Sequence, residues 1–252
     1  MVDSLQSPEE TFFSAGIEPK NYLLNYVKIP ANVFVSLFQF DNPQKNRMKA
    51  VFTGALVLSF AIDQPVRDVV QDRLYSGSNV VTEGLRHAGN RKYVFPGFAA
   101  AYGLSLALQK RYHHDSVLLA FQALVITQLF TEVTKYSAGR VRPRNSMDDP
   151  FLRERGGVSF FSGHASGAWA VMTVVAGRYD RLKWGAYGLA AAIAAARIYE
   201  DAHWTSDVLM GSLAGYGIAT VTLRLNDAVS ESVVVTPYVD RDKGGVVVHY
   251  RF

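Results

Sequence analysis

The chain lacks cysteine: none of its 252 residues is Cys. This absence excludes a disulfide framework, thiolate metal ligands and a cysteine nucleophile, and it is compatible with an oxidising compartment. The opening residues MVDSL contain neither a basic segment nor an apolar run, so the sequence predicts no cleavable signal peptide there. If the protein is exported, we expect that a signal was trimmed or that the first apolar segment serves as one.

The chain also lacks a continuous basic run and a flexible linker. Its formal net charge of +4 and isoelectric point near 9.2 favour anionic partners. The basic residues are nevertheless scattered over short turns without interleaved aromatic residues, which argues against a nucleic-acid partner. No Pro-, Ser- or Gly-rich linker divides the chain, and its 49% hydrophobic content suffices for one large core. We therefore predict one main domain.

Long hydrophobic runs are missing as well. Six apolar segments of about 13 to 17 residues are rich in Ala, Leu and Gly, which predicts a mostly α-helical fold; they lie at about residues 50–62, 93–109, 116–131, 162–177, 184–196 and 208–223. Each is shorter than the roughly 20 residues that cross a bilayer. The mean hydropathy of +0.05 is also low for a protein with six spans. These properties favour buried helices.

The charges between these segments favour membrane-spanning helices instead. In a six-span topology, the basic turns would share one side of the membrane, as the positive-inside rule requires. These turns contain Lys45, Arg47, Lys49, Lys110, Arg111, Arg178, Arg181 and Lys183. The sequence therefore leaves both interpretations open.

The two ends of the chain differ from its middle. Residues 21–40 are rich in aromatic and β-branched side chains and contain Pro30, which predicts an amphipathic helix, broken at the proline, on a protein core or a bilayer surface. Near the other end, two valine-rich segments flank the turn sequence DRDKGG, a pattern typical of a β-hairpin. One hairpin cannot close a barrel, so we expect a small appended ribbon. We predict a helical domain over residues 1–230, including the amphipathic segment, and a hairpin over residues 231–252.

Lys135 and the pair Arg142-Pro143 form the first of three polar blocks. The seven-residue spacing equals two helical turns, so both cations could project from one face near a helix end. Pro143 disfavours helix at Arg142 and places this arginine where the chain turns out. A solvated basic loop that also contains Arg140 and Arg144 explains the same residues equally well.

Ser162-Gly163-His164 is the second block. It follows Gly156-Gly157 and directly precedes an apolar run. This order predicts a loop that enters a helix N-terminus, where free backbone N–H groups and the helix dipole attract an anion. The plainer alternative is a serine N-cap followed by a histidine.

Arg197, His203 and Asp207 are the third block. His203 and Asp207 are four residues apart, close enough on a helix for the carboxylate to orient the imidazole and fix its tautomer. A structural His–Asp pair is the alternative. Among the other histidines, the pair His113-His114 is expected to be solvated rather than a metal site, because no carboxylate or cysteine cluster accompanies it.

Taken together, the three blocks resemble the signature of the type 2 phosphatidic acid phosphatases, a superfamily that also includes bacterial non-specific acid phosphatases and vanadium haloperoxidases. The signature here is Lys-x6-Arg-Pro, Ser-Gly-His and Arg-x5-His-x3-Asp, within residues 135–207. Phe161 stands where the family's middle block often has proline, and Ala196 stands where serine usually precedes the arginine. Neither departure removes a group that takes part in the chemistry.

The resemblance implies a fold and a role for each site residue. It implies a six-helix bundle core in which His203 is the nucleophile that forms a phosphohistidine and Asp207 holds its ring. His164 would protonate the leaving oxygen and then activate water. No metal or other cofactor is implied. The phosphoryl oxygens would be held by the side chains of Lys135, Arg142, Ser162 and Arg197 and by the Gly163 backbone N–H.

The expected function is that of a phosphomonoesterase acting on a lipid phosphate or pyrophosphate at a membrane surface. The expected partners are a phosphorylated lipid or a small phosphomonoester and a membrane, with the site facing the periplasm or exterior. Three alternatives remain: a soluble periplasmic non-specific acid phosphatase, a vanadium-dependent haloperoxidase, and a non-catalytic interaction scaffold.

Overall fold

In the computed structural model, the described residues are 17, 19–38, 43–230, 234–240 and 243–249. Their architecture is mostly helical, as predicted. All six apolar segments of the sequence fall in helices. The α-helices are α1 (Pro19–Phe38), α2 (Pro43–Ala61), α3 (Asp63–Val69), α4 (Val80–Ala88), α5 (Arg91–Ala107), α6 (Arg111–Ala138), α7 (Gly163–Arg178), α8 (Lys183–Tyr199) and α9 (Thr205–Ser230).

Local signals fix several helix ends. Asn79 caps α4, because its side chain accepts hydrogen bonds from the N–H groups of Val81 and Thr82. Helix α6 ends at Gly139, whose φ of 58° belongs to the left-handed region that glycine adopts without strain. Ser162 caps α7 by accepting from the Ala165 N–H at 3.4 Å. The last two caps therefore set where the loop between α6 and α7 begins and ends.

Helix α7 lies inside the bundle, against α6, α8 and α9. One core cluster joins Leu119 of α6, Val174 of α7 and Ala219 of α9 with side chains of α1. A glycine permits the closest of these contacts: a Cβ at Gly215 would lie 2.1 Å from the Ser166 carbonyl oxygen. The backbones of α7 and α9 therefore touch through small residues, as the sequence composition indicates.

Helix α1 lies on the core with one face. Ile29 is fully buried, and the Gln122 amide of α6 donates to the Tyr22 carbonyl at 2.6 Å. The other face exposes apolar side chains such as Leu23 and Val27. The predicted break at Pro30 is wrong, since the helix continues through it. Residues 39–42, the remainder of the amphipathic segment and its connection to α2, lie outside the described residues.

Two helices among the described residues are long and apolar enough to cross a membrane by length and composition, Arg111–Ala138 and Thr205–Asn226. Both are longer than the apolar segments predicted for them. The sequence pattern stopped at polar residues such as Glu132 and Asp207, which lie within these helices.

His114 was predicted to be solvated, and this is wrong. Its side chain is buried and its ring lies 5.0 Å from that of Tyr102. His113 also has a protein partner, because its Nδ1 lies 2.6 Å from the Tyr179 hydroxyl.

After α9, two strands, β1 (Val234–Asp240) and β2 (Lys243–His249), pair antiparallel. Their side chains and the turn between them lie outside the described part of the chain. The appended hairpin, and the domain division at residue 230, therefore stay predictions.

Candidate active site

The three polar blocks lie at one end of the bundle. Lys135 is in the last turn of α6, and Arg142 follows in the loop. Ser162 and His164 form the start of α7, and Arg197 lies in the last turn of α8. His203 stands between α8 and α9, and Asp207 lies in the first turn of α9. A direct hydrogen bond joins the second and third blocks, because the Ser162 N–H donates to the Asp207 carbonyl at 3.1 Å.

The Lys135 ammonium lies beside the N-terminus of α7. A Cβ at Gly163 would be 3.3 Å from Lys135 Nζ, so this ammonium is next to the free end of the helix. Lys135 is largely buried and bonds Glu132, one turn earlier, at 3.2 Å. Arg142 is extended, with φ −70° and ψ 150°, immediately before Pro143. This conformation is the one that the sequence predicted, and the basic residues of this block are not simply a solvated loop.

His164, in the first turn of α7, packs against the turn after α4. A Cβ at Gly89 would lie only 2.7 Å from His164 Cδ2, so the two segments touch. Burial, and after it the neighbouring groups Arg197, His203 and Lys135, which repel positive charge, together lower the pKa of His164 to about 3. The ring is therefore neutral at physiological pH while the site holds no anion.

His203 differs from its predicted geometry. It lies in the turn before α9 rather than on the helix. Its Nδ1–H donates to the Ser159 carbonyl at 2.8 Å, whereas Asp207 Oδ2 is 3.8 Å away, too far for a hydrogen bond. The bond to Ser159 puts the proton on Nδ1 and leaves the Nε2 lone pair free. Burial lowers the pKa of His203, and the negative charge of Asp207 opposes this effect.

Asp207 is fully buried and saturated with donors. Its Oδ2 accepts from the Ser159 hydroxyl and from the Trp204 N–H at 3.0 Å. Its Oδ1 accepts from the Arg140 guanidinium at 2.6 Å. Sequence reasoning placed Arg140 only in a basic loop and did not find Ser159. The spacing of the signature contains no signal for either, because both act through the folded loop between α6 and α7.

Three nitrogen atoms at the site are buried without a hydrogen-bond partner: Arg142 Nε, Arg197 Nε and His164 Nε2. Arg197 is also paired with Glu200 through another guanidinium nitrogen. The two guanidinium nitrogens are donors, and buried donors are nearly always satisfied in folded proteins, so their lack of a partner indicates a ligand that accepts hydrogen bonds. The Nε2 atom of a neutral imidazole donates in one tautomer and accepts in the other. Among the described residues, no group of three or more His, Cys, Asp or Glu side chains could hold a metal ion.

Residues 116–230, which include all three blocks, match the PAP2 superfamily. The PAP2 match therefore covers the part of the chain that contains the candidate site. A PA-phosphatase related-family protein of Dictyostelium discoideum is 33% identical over an alignment of 133 residues, which covers 45% of this chain and 49% of the relative. The chain thus spans about half the length of that curated relative.

Two solved structures are similar in fold to this chain. One is the first transmembrane PAP2 type phosphatidylglycerolphosphate phosphatase from Bacillus subtilis, with a TM-score of 0.54 and 18% identity over 82% of this chain and 98% of that one. The other is LpxE from Aquifex aeolicus, with a TM-score of 0.52 and 20% identity over 65% of this chain and 95% of that one. The family predicted from the three blocks is therefore confirmed.

Proposed function

We propose that the protein is a phosphatase that hydrolyses a phosphomonoester through a phosphohistidine at His203. The observation that supports this most directly is the set of unpartnered nitrogens of Arg142, Arg197 and His164 beside the free Nε2 of His203. Together with the Lys135 ammonium and the N-terminus of α7, they supply donors and positive charge for a phosphoryl group.

The reaction has two steps in this site. His203 Nε2 attacks phosphorus and the bond to the leaving oxygen breaks, while His164 gives that oxygen a proton. Water then attacks the phosphohistidine, His164 takes its proton, and the P–N bond breaks to release phosphate. In both steps Lys135, Arg142 and Arg197 stabilise the equatorial oxygens, as do the Ser162 hydroxyl and the Gly163 N–H.

In this mechanism, binding of the substrate favours the protonated form of His164. In the empty site, burial and neighbouring cations hold the pKa of His164 near 3, so the ring cannot serve as an acid. A phosphate dianion offsets the charges of Arg197 and Lys135 and raises this pKa. His164 therefore becomes a proton donor when the phosphoester binds, and it is the base again after it has given its proton away.

A lipid phosphate is the proposed substrate class. A small cavity beside His164 contains Arg91 and Gln128 in its lining but is otherwise apolar, which suits the first carbons of an acyl chain: Gly89, Val94, Phe95, Leu124, Val171, Met172 and Ile193. Helix α6 exposes Leu129, Val133 and Tyr136 near the site. In the described part of the chain, α6 and α9 are long and apolar enough to cross a bilayer. These observations favour a membrane-bound enzyme that takes its substrate from the lipid phase over a soluble acid phosphatase.

The proposal is tested with the detergent-purified protein in excess chelator, on nitrophenyl phosphate and on phosphatidic acid in mixed micelles. We expect hydrolysis of both without added metal, inhibition by vanadate, and a higher kcat/KM for the lipid. His203→Ala should lower kcat about a thousandfold or more for either substrate. His164→Ala should cost about a hundredfold with the lipid and less than about tenfold with nitrophenyl phosphate, whose leaving group needs no proton.

The matched control is His113→Ala, which removes a histidine at the opposite end of the bundle and should keep wild-type rates. Strict dependence on a divalent metal, or equal losses at His164 for both leaving groups, would contradict the mechanism. A preference for the soluble ester, with no affinity for liposomes, would favour a soluble acid phosphatase.

A further inference from the structure

A buried chain of ion pairs connects α3 to the active site. Asp63, the first residue of α3, and Arg140, in the loop after α6, are each 1% exposed. One guanidinium nitrogen of Arg140 lies 2.6 Å from Asp63 Oδ2, and the other lies 2.6 Å from Asp207 Oδ1. Arg140 therefore bridges two buried carboxylates, one of which belongs to the third polar block.

Arg140 is fixed in this position from all sides. Its Nε donates to the Pro150 carbonyl at 2.9 Å. The guanidinium carbon lies 5.0 Å from the centre of the Phe60 ring and 5.5 Å from that of Trp204. A guanidinium held at all three of its nitrogens and near two rings has one orientation, so it transmits that orientation to the carboxylate of Asp207.

Asp63 is fixed to the start of α9 as well. Its Oδ1 accepts from the Ser206 N–H at 2.7 Å and its Oδ2 from the Ser206 hydroxyl at 2.6 Å. The same hydroxyl accepts from Arg140 at 2.6 Å. Ser206 directly precedes Asp207, so Asp63 reaches the catalytic region both through the arginine and through the backbone.

We propose that Asp63 and Arg140 are positioning residues for the His203–Asp207 pair. The proposal rests on the proposed phosphatase role of that pair. Arg140 alone would cancel the charge of Asp207, and the pair would then present no net charge to His203. With Asp63 on the other side of the guanidinium, the three groups have a net charge of −1 in a site without water contact. This charge favours the cationic ring that forms when His203 bonds to phosphorus.

The sign of this charge matters because the other groups around His203 are mostly cationic. The charged and titratable groups that influence its ring are Lys135 on α6, Arg142 in the following loop, His164 on α7 and Asp207 on α9. Asp207 is the single anion among these four. Any loss of negative charge behind Asp207 therefore makes a positive His203 less favourable.

The first variant is Asp63→Asn, which removes one charge with little change of shape. We expect the pKa of His203 to fall by about one unit. It is measured as the midpoint of the pH dependence of diethyl pyrocarbonate modification of His203, followed by peptide mass spectrometry. This readout needs no phosphatase activity. With nitrophenyl phosphate, the same variant should lower kcat about tenfold and change KM by less than about twofold.

Ser206→Ala is the matched control, since it removes hydrogen bonds to Asp63 and Arg140 and leaves every charge in place. It should lower the Tm without moving the His203 midpoint. Arg140→Gln removes the opposite charge and should move the midpoint upward, which keeps the test informative if Asp63→Asn unfolds.

Equal midpoints in the wild type and in folded Asp63→Asn and Arg140→Gln would overturn the positioning role. A wild-type protein that hydrolyses no phosphoester would refute the proposed function. In that case the midpoints of the variants would still decide whether Asp63 and Arg140 set the state of His203.

Discussion

At the scale of single residues, the site contains two histidines that the fold keeps neutral. His203 and His164 both have pKa values below the ordinary value, in each case chiefly because of burial. For His203 this favours a free Nε2 lone pair, which a nucleophile needs. In the proposed mechanism, His164 gains the proton of the first step only after a bound anion has raised its pKa. The folded protein therefore resists protonation at both rings.

This resistance predicts a pH-dependent stability. Below about pH 6.5 the unfolded chain binds protons on these histidines that the folded chain does not bind, so stability is fully present above that pH and falls as the pH drops. His164 alone should contribute up to about 2 kcal/mol of destabilisation between pH 7.5 and 5.0. The measurement compares the Tm of the wild type and of His164→Gln in detergent at both pH values.

The wild type should lose more stability on acidification than His164→Gln, because the glutamine has no proton to gain. The same variant pair at pH 7.5 and 9.0 is the control, and there the two proteins should change alike. Parallel losses between pH 7.5 and 5.0 would mean that the ring of His164 is not held neutral in the folded state.

The residues of the signature could be predicted from the sequence, and their partners could not. The signature consists of particular charged and histidine side chains at a set spacing along the chain: Lys135, Arg142, His164, Arg197 and His203. Asp63 lies outside the matched residues 116–230, and Ser159 acts on His203 through its carbonyl, which every residue possesses. A backbone contact or a distant carboxylate leaves no pattern in one sequence.

At the scale of the helices, the site depends on how closely α7 and α9 approach. A Cβ at Gly211 would lie 2.7 Å from the Ser162 carbonyl oxygen, and one at Gly215 would lie 2.1 Å from that of Ser166. Both contacts are with backbone, which cannot turn aside as a side chain can. These glycines let the start of α7, with Ser162, lie directly on the first turns of α9, with Asp207.

This contact predicts opposite changes in Tm for two glycine-to-alanine substitutions in α9. Gly215→Ala should lower the Tm, since the new methyl group must push α7 and α9 apart at a cost of about 1 to 3 kcal/mol. Gly217→Ala, two residues further along α9, has nothing within 4 Å of its Cβ position and should keep or raise the Tm through better helix propensity. Thermal unfolding in detergent measures both, and a Gly215→Ala protein as stable as Gly217→Ala would contradict the close contact.

Helix composition predicted the long helices well and the short ones poorly. The six apolar segments all lie in helices. Their composition, which predicts a helix, belongs to each segment and does not depend on the rest of the fold. Helices α3 and α4 were missed, since they are only 7 and 9 residues long and contain no continuous apolar segment as long as those six segments. Pro30 was taken as a break, although α1 continues through it with Ile29 buried on the core. Tertiary packing overrides the local preference there.

At the scale of the whole molecule, two basic turns lie at the end of the bundle opposite to the candidate site. Helix α6 runs from Arg111 to the site at Lys135, and α7 runs from Ser162 back to Arg178. The turn between α7 and α8 contains Arg181, and Lys183 follows as the first residue of α8. This turn and the turn before α6 therefore lie at the end of the bundle away from the site. If the protein spans a membrane, the positive-inside rule applied to these two turns predicts that the candidate site faces away from the cytoplasm.

The absence of cysteine makes this orientation directly measurable. Met147→Cys places a thiol on the loop at the site end, where the native side chain is 91% exposed. Trp184→Cys places one at the opposite end, at a position 81% exposed. In intact cells that express either variant, a membrane-impermeant maleimide should label Met147→Cys and leave Trp184→Cys unlabelled, and permeabilised cells should label both. The reversed pattern would place the site in the cytoplasm, and recovery of both variants in the soluble fraction would refute the membrane location.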